Sequence, residues 1–163
     1  MSLRIRFAIK DDMNDVHRLI TELAVFEKEP DAVIISVNDL MNDGFSNPPK
    51  FKVYVAETDA GIVGMALFYE RYSTWVGKTI HLEDLIVTQN SRSIGVGKAL
   101  YGTLLEYANT QGVKRVTWEV LDWNKNAIDF YKNTGATILE DWRVVHMKEG
   151  NLKKFIKTRH ESF

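Results

Sequence analysis

The sequence predicts an α/β fold in one domain, and three observations carry that prediction. Helical and strand-like periodicities alternate along the chain. Two strand-like runs, FKVYVAE and IVGMALFYE, are separated only by TDAG, which reads as an antiparallel hairpin. A third run, TIHLEDLIV, is followed by the helical stretch GVGKALYGTLLEYANTQG and then by KRVTWEVL, a strand-helix-strand crossover.

Residues 3 to 8 read as the first strand. From Asp11 to Phe26 the apolar positions Met13, Val16, Leu19, Ile20, Leu23 and Ala24 recur at helical spacing, and Asp11 and Asp12 suit the helix start. A short helix begins at Ser36, with Asp39 three residues on as its capping partner, and stops at Gly44 before the break NPPK. After the hairpin the chain turns through RYSTWVGK into TIHLEDLIV, and the helix that follows closes at Gly112. NKNAIDFYKNTG reads as a short helix capped by Asn124 and ended by Gly135, and a final strand pair is predicted near ATILE and WRVVHMK. No repeat, low-complexity segment or linker interrupts residues 1–163, so the motifs share one domain.

Composition narrows the chemistry. A chain of 163 residues with 45% hydrophobic positions can bury a substantial core. Its net charge of −1, with acids and bases interspersed, gives neither a nucleic-acid footprint nor a polybasic membrane patch. The lack of cysteine excludes disulfides, thiolate metal ligands and a cysteine nucleophile. His17, His81, His146 and His160 show no metal-ligand spacing, so no metal is assigned, and His81 reads as a structural strand residue. The longest apolar stretch, around IVGMALF, is far shorter than a bilayer span, and a cytoplasmic protein is expected. The reaction must then come from carboxylates, hydroxyls, histidine or a bound cofactor.

One short stretch, SRSIGVGKAL, spends two glycines where a helix should begin. A helix N-terminus exposes unpaired N–H groups and carries roughly half a positive charge, so glycines there let an anion reach the amides. Arg92 adds a permanent cation. The pattern suits a pyrophosphate, although plain turn chemistry gives the same glycines. It is neither the dinucleotide fingerprint, which needs a third glycine, nor a P-loop, because Lys98 is not followed by Ser or Thr.

With Arg92, Gly95 and Gly97 after a strand, the chain resembles the GCN5-related N-acetyltransferase (GNAT) superfamily, whose acetyl-CoA signature is Q/R-x-x-G-x-G/A. WNKNAIDFYKNTGA matches a second family feature, supplying Asn124 and Tyr131. LITELAVFE, DLMNDGF, YSTWVGKTIHLEDLIV and DWR resemble, in type and order, the spermidine/spermine and thialysine acetyltransferase branch, so the resemblance covers nearly the whole chain. It implies a mixed, splayed central sheet flanked by helices, with acetyl-CoA between two parallel strands. On that resemblance the cofactor is held by Leu85, Ile86 and Val87, by Arg92, Ser93, Ile94, Gly95, Val96, Gly97 and Lys98, and by Asn124, Asn126 and Ala127. A bulge is expected in the Leu85–Val87 strand, leaving a backbone N–H for the acetyl carbonyl.

Acetyl transfer to an amine needs two proton services. An amine of pKa about 10 is protonated at neutral pH and must lose its proton before attack. Strand alternation would put Glu83 and Asp84 on opposite faces, so one of them faces the cleft, and the resemblance selects Glu83. A phenol can protonate the leaving thiolate, and the resemblance gives that task to Tyr131. Glu27, Glu83, Asp84 and Asp122 would form an acidic mouth for a cationic amine, with Phe26, Tyr72 and Trp75 against its aliphatic part, while Glu29 reads as an ordinary surface acid. Ser73 stands where the polyamine branch carries Asp, which weighs toward another small primary amine. The branch pairs subunits through C-terminal strands, and WRVVHMKEGNLKKF is apolar and aromatic enough to supply such an interface, so a homodimer is expected. Alternative readings are a protein or peptide acetyltransferase and a non-catalytic acetyl-CoA sensor.

Overall fold

A computed structural model of the chain describes residues 2–92 and 95–161, the last two by backbone alone. In chain order the elements are β1 (Arg4–Phe7), α1 (Met13–Phe26), α2 (Val37–Gly44), β2 (Lys52–Thr58), β3 (Gly61–Ser73), β4 (Gly77–Val87), α3 (Val96–Thr110), β5 (Val116–Thr117), α4 (Lys125–Asn133) and α5 (Glu149–Glu161). The chain divides into two compact units, one ending at Leu121 and one starting at Asp122.

In the first unit the sheet order is β1-β2-β3-β4-β5. The first four strands are antiparallel neighbours, and β5 runs parallel to β4 after the α3 crossover, so the sheet is mixed. The local signals act as read. Ser36 accepts from the Asp39 N–H while Asp39 accepts from the Ser36 N–H, a reciprocal cap that starts α2. Helix α1 begins two residues later than its acids suggest, because residues Lys10–Asp12 form a turn in which Asp12 accepts from the Ile9 N–H and pairs with Arg6 at 2.6 Å.

Two apolar clusters cover the two faces of the sheet. Met13, Val16 and Leu19 of α1 and Leu40 of α2 pack on Val53, Val55, Met65, Leu67 and Ile86. Val96, Leu100 and Leu104 of α3 pack on Tyr54, Ala66, Phe68, Ile80 and Leu82. Strand alternation thus feeds both layers, which is why β2 and β3 read as nearly continuous apolar runs. Gly64 is required where β3 meets β4, since a Cβ there would lie 2.8 Å from the Ile86 carbonyl oxygen.

Two expectations are corrected. The strand predicted from KRVTWEVL keeps ladder pairing only at Val116 and Thr117. In the second unit ATILE and WRVVHMK form no strand pair, and α5 follows them instead. β-branched and aromatic residues favour a strand only where a neighbouring strand receives them, and in this unit Trp142, Val144 and Val145 stay 66%, 59% and 87% exposed. Helix α4 is as predicted, with Asn124 as N-cap and Gly135 at φ +91° after its end. Among the described residues no helix is long and apolar enough to cross a membrane.

Candidate active site

The site begins where the sheet opens. Strand β4 pairs with β3 along its length but with β5 only at Ile80 and His81. From Leu82 to Val87 its other side carries no strand among the described residues, an open edge that can pair with the amide groups of an extended ligand.

A bulge sits at the start of that edge. Phe68 pairs with Leu82 and Leu67 with Asp84, which leaves Glu83 as the extra residue. The expected bulge in Leu85–Val87 is therefore displaced to Glu83, and strict alternation of Glu83 and Asp84 fails with it. The facing of the core residues shifts accordingly. Ile80 and Leu82 pack toward α3 before the bulge, and Leu85 and Val87 after it.

The bulge gathers acids and their partners. Tyr69 donates its hydroxyl to Glu83 Oε2 at 2.8 Å, and His81 Nε2 lies 3.5 Å from the same oxygen. Burial pushes the Tyr69 phenol up to about 12, helped by its bond to Glu83. Burial also pulls the His81 imidazole below its ordinary value, against the opposing charge of Glu83. Asp84 is pushed up to about 7, first by burial and then by the charges of Glu83 and Glu27. Burial raises Glu27 as well. Three of the four predicted acids thus share one electrostatic neighbourhood, whose negative charge is costly unless a cation or a proton relieves it.

At the far end of the open edge lies the N-terminus of α3. Gly95 caps the helix at φ +86°, and no side chain caps the amides that follow. A Cβ at Gly97 would meet only Val87 Cγ2, at 3.6 Å, so packing does not require this glycine. Val96 is buried beneath the turn and anchors it. Arg92 donates from Nε to the Val87 carbonyl at 2.9 Å and stacks its guanidinium 5.3 Å from the Phe26 ring centroid. Glu22 ties α1 to the same loop by accepting from the Thr88 hydroxyl at 2.8 Å and the Gln89 N–H at 3.0 Å. Ser93 and Ile94, also expected at the cofactor, lie outside the described residues.

Trp75 and Tyr72, at the hairpin joining β3 to β4, are 79% and 76% exposed. Four predicted residues besides Tyr131 belong to the second unit. There Asn124 caps α4 by accepting from the Ala127 N–H at 3.3 Å, Asn126 and Asp122 are exposed, and Tyr131 is buried. Sequence reasoning missed Tyr69 and Thr117 and gave His81 no task. The available signal was spacing, because His81 precedes Glu83 by two residues and Tyr69 is its cross-strand partner.

Known proteins share this sequence and fold. Residues 13–136 match the Acetyltransferase (GNAT) family. The chain is 40% identical over 152 residues to a thialysine N-epsilon-acetyltransferase of Sus scrofa, covering 86% of this chain and 89% of that protein. It is 33% identical over 159 residues to the Homo sapiens spermidine/spermine N(1)-acetyltransferase-like protein 1, covering 91% of this chain and 23% of that longer one. An integron cassette protein from the mobile metagenome of V. cholerae has the same fold, with a TM-score of 0.78 at 24% identity over 96% of this chain and 99% of its own. An open parallel-strand edge leading to a glycine-lined helix start, and a family match across most of the chain, agree: this protein belongs to the GNAT family of acetyltransferases.

Proposed function

We propose that the chain moves the acetyl group of acetyl-CoA onto the primary amine of a small molecule, acting in the cytoplasm as a homodimer, with its whole length serving as one acetyltransferase domain. The observation that carries this reading is the bulge at Glu83, which sets an acidic cluster beside an open strand edge that ends at uncapped helix amides. The relatives named for thialysine and spermidine/spermine point to cationic amines of that kind.

The residues fit acetyl-CoA on physical grounds. The amides of Val96, Gly97 and Lys98, unobstructed at Gly97, and the Arg92 guanidinium suit a pyrophosphate. Leu85, Ile86 and Val87 offer backbone to a pantetheine arm along the open edge, and Asn124, Asn126 and Ala127 are the further positions assigned to it. Bound acetyl-CoA supplies an activated thioester. The protein's own work is to receive one proton and deliver another. Glu83 accepts the ammonium proton, directly or through water, while Glu27, Asp84 and Asp122 hold the cation by charge and Phe26 and Trp75 cover its chain. The Tyr131 phenol delivers a proton to the departing sulfur.

The test is an amine panel followed by free thiol release from acetyl-CoA. Saturable release with small diamines or thialysine, and little with peptides, is the expected result. Release only with peptide amines would replace this reading with a protein acetyltransferase, and acetyl-CoA binding without release would replace it with a sensor.

A further inference from the structure

Beneath Glu83 lies a chain of polar contacts to which proton transfer, as described above, gives no task. Thr117 Oγ1 and His81 Nδ1 are 2.9 Å apart, His81 Nε2 is 3.5 Å from Glu83 Oε2, and the Tyr69 hydroxyl donates to that same oxygen at 2.8 Å. The chain starts at the last rung between β4 and β5, where His81 pairs with Thr117, and ends at the bulge where the sheet opens.

We propose that Tyr69 and His81 are positioning residues that hold the Glu83 carboxylate in the orientation that receives the substrate ammonium, an inference that rests on the acetyl-transfer reading. Both contacts converge on Oε2, and Oε1 accepts no hydrogen bond among the described residues. One oxygen is therefore anchored while the other is left for the amine. The exposed side of Glu83 needs such an anchor, because its side chain is 51% exposed and has rotamer freedom to lose.

The imidazole suits this task in its neutral form. In the tautomer where the Thr117 hydroxyl donates to Nδ1, the hydrogen sits on Nε2, 3.5 Å from Glu83 Oε2, a polar contact longer than the Tyr69 hydrogen bond. The groups facing His81 are Glu83 on its own strand, Tyr69 and Arg71 on β3, and Thr117 and Glu119 from the β5 side. Burial and Arg71 disfavour the imidazolium more than Glu83 and Glu119 favour it, so the ring is neutral at pH 7. A neutral donor orients a carboxylate without cancelling the charge that attracts an ammonium; a cation at the same place would compete with the substrate.

The experiment compares Tyr69→Phe, His81→Leu and His81→Gln with the parent protein, measuring amine kcat and KM at saturating acetyl-CoA and acetyl-CoA affinity by calorimetry. Tyr69→Phe keeps the ring, so its fold is secure. The expected result is a roughly tenfold loss of kcat/KM for the amine in Tyr69→Phe and His81→Leu, partial recovery in His81→Gln through its amide N–H, and unchanged acetyl-CoA affinity. NMR of the imidazole adds a readout independent of turnover: His81 titrates lower in Glu83→Gln than in the parent, because the carboxylate that favours its charge is gone. Parent-like amine kinetics in Tyr69→Phe and His81→Leu, or a His81 titration indifferent to Glu83→Gln, would overturn the inference alone. A parent protein that releases no thiol with any amine would overturn the acetyl-transfer reading and this inference with it.

Discussion

Two carboxylates adjacent in sequence, Glu83 and Asp84, have been given different environments. Glu83 is half exposed and tied to Tyr69, while Asp84 is pushed up to about 7 by burial and by its acidic neighbours. The sign for stability follows from linkage. Asp84 binds its proton more tightly folded than unfolded, where a carboxyl sits near 3.9, so the native state gains stability as pH falls from about 7 toward 4 and forgoes it above 7. Asp84→Asn should therefore be more stable than the parent at pH 8, by on the order of a few kcal/mol, with the gap narrowing steadily as pH falls toward 4 in calorimetric scans. For turnover, Tyr131→Phe should lose roughly two to four orders of magnitude with acetyl-CoA affinity nearly unchanged, whereas Glu83→Gln should be partly relieved at high pH, where the amine is already neutral. Pre-steady-state thiol release across pH checks both. Glu83, Asp84 and Glu27 were legible as acids beside a strand and a helix end, but their convergence was not. A bulge is a register event between two strands, and strand alternation, which sequence does display, gave the wrong facing for one of the pair.

At the scale of elements, caps and turns were the most legible features because their chemistry is local. Ser36 with Asp39, and Asn124 with Ala127, close their bonds within three residues. The short β5 and the unpaired C-terminal strands were not legible, since a strand exists only when a distant partner accepts it. Helix α5 had a signal in Leu152, Phe155 and Ile156 at helical spacing and in a Glu149–Lys153 pair one turn apart, obscured by the strand-like WRVVHMK before it. The two glycines at the start of α3 separate by physics. Gly95 sits at φ +86°, so a side chain there strains the turn itself, whereas Gly97 meets nothing closer than 3.6 Å. Gly97→Ala should keep the parent's melting temperature yet weaken acetyl-CoA by roughly tenfold in calorimetry, because the added methyl obstructs the amides and not the core. Unchanged affinity would remove the pyrophosphate role of this turn.

For the molecule as a whole, the second unit exposes more apolar surface than a lone soluble chain usually leaves: Trp142, Val145, Met147 and Phe155 are 66%, 87%, 62% and 62% exposed. The homodimer proposed above would cover these side chains, and on that proposal light scattering at micromolar concentration should give twice the 18.7 kDa of one chain. A monomer there would leave the exposed strand-like segment without its expected partner. The central claim, acetyl transfer to a small amine by the acids gathered at the bulge, is tested most directly by competition. The protein is given deuterated acetyl-CoA and an equimolar mixture of thialysine, spermidine and a lysine-containing peptide, and products are read by mass spectrometry for the parent and for Glu83→Gln. The expected result is the labelled acetyl group on a small amine with the parent, and a large loss of that product with Glu83→Gln at neutral pH. Label on the peptide alone, or equal small-amine product from both proteins, would contradict it.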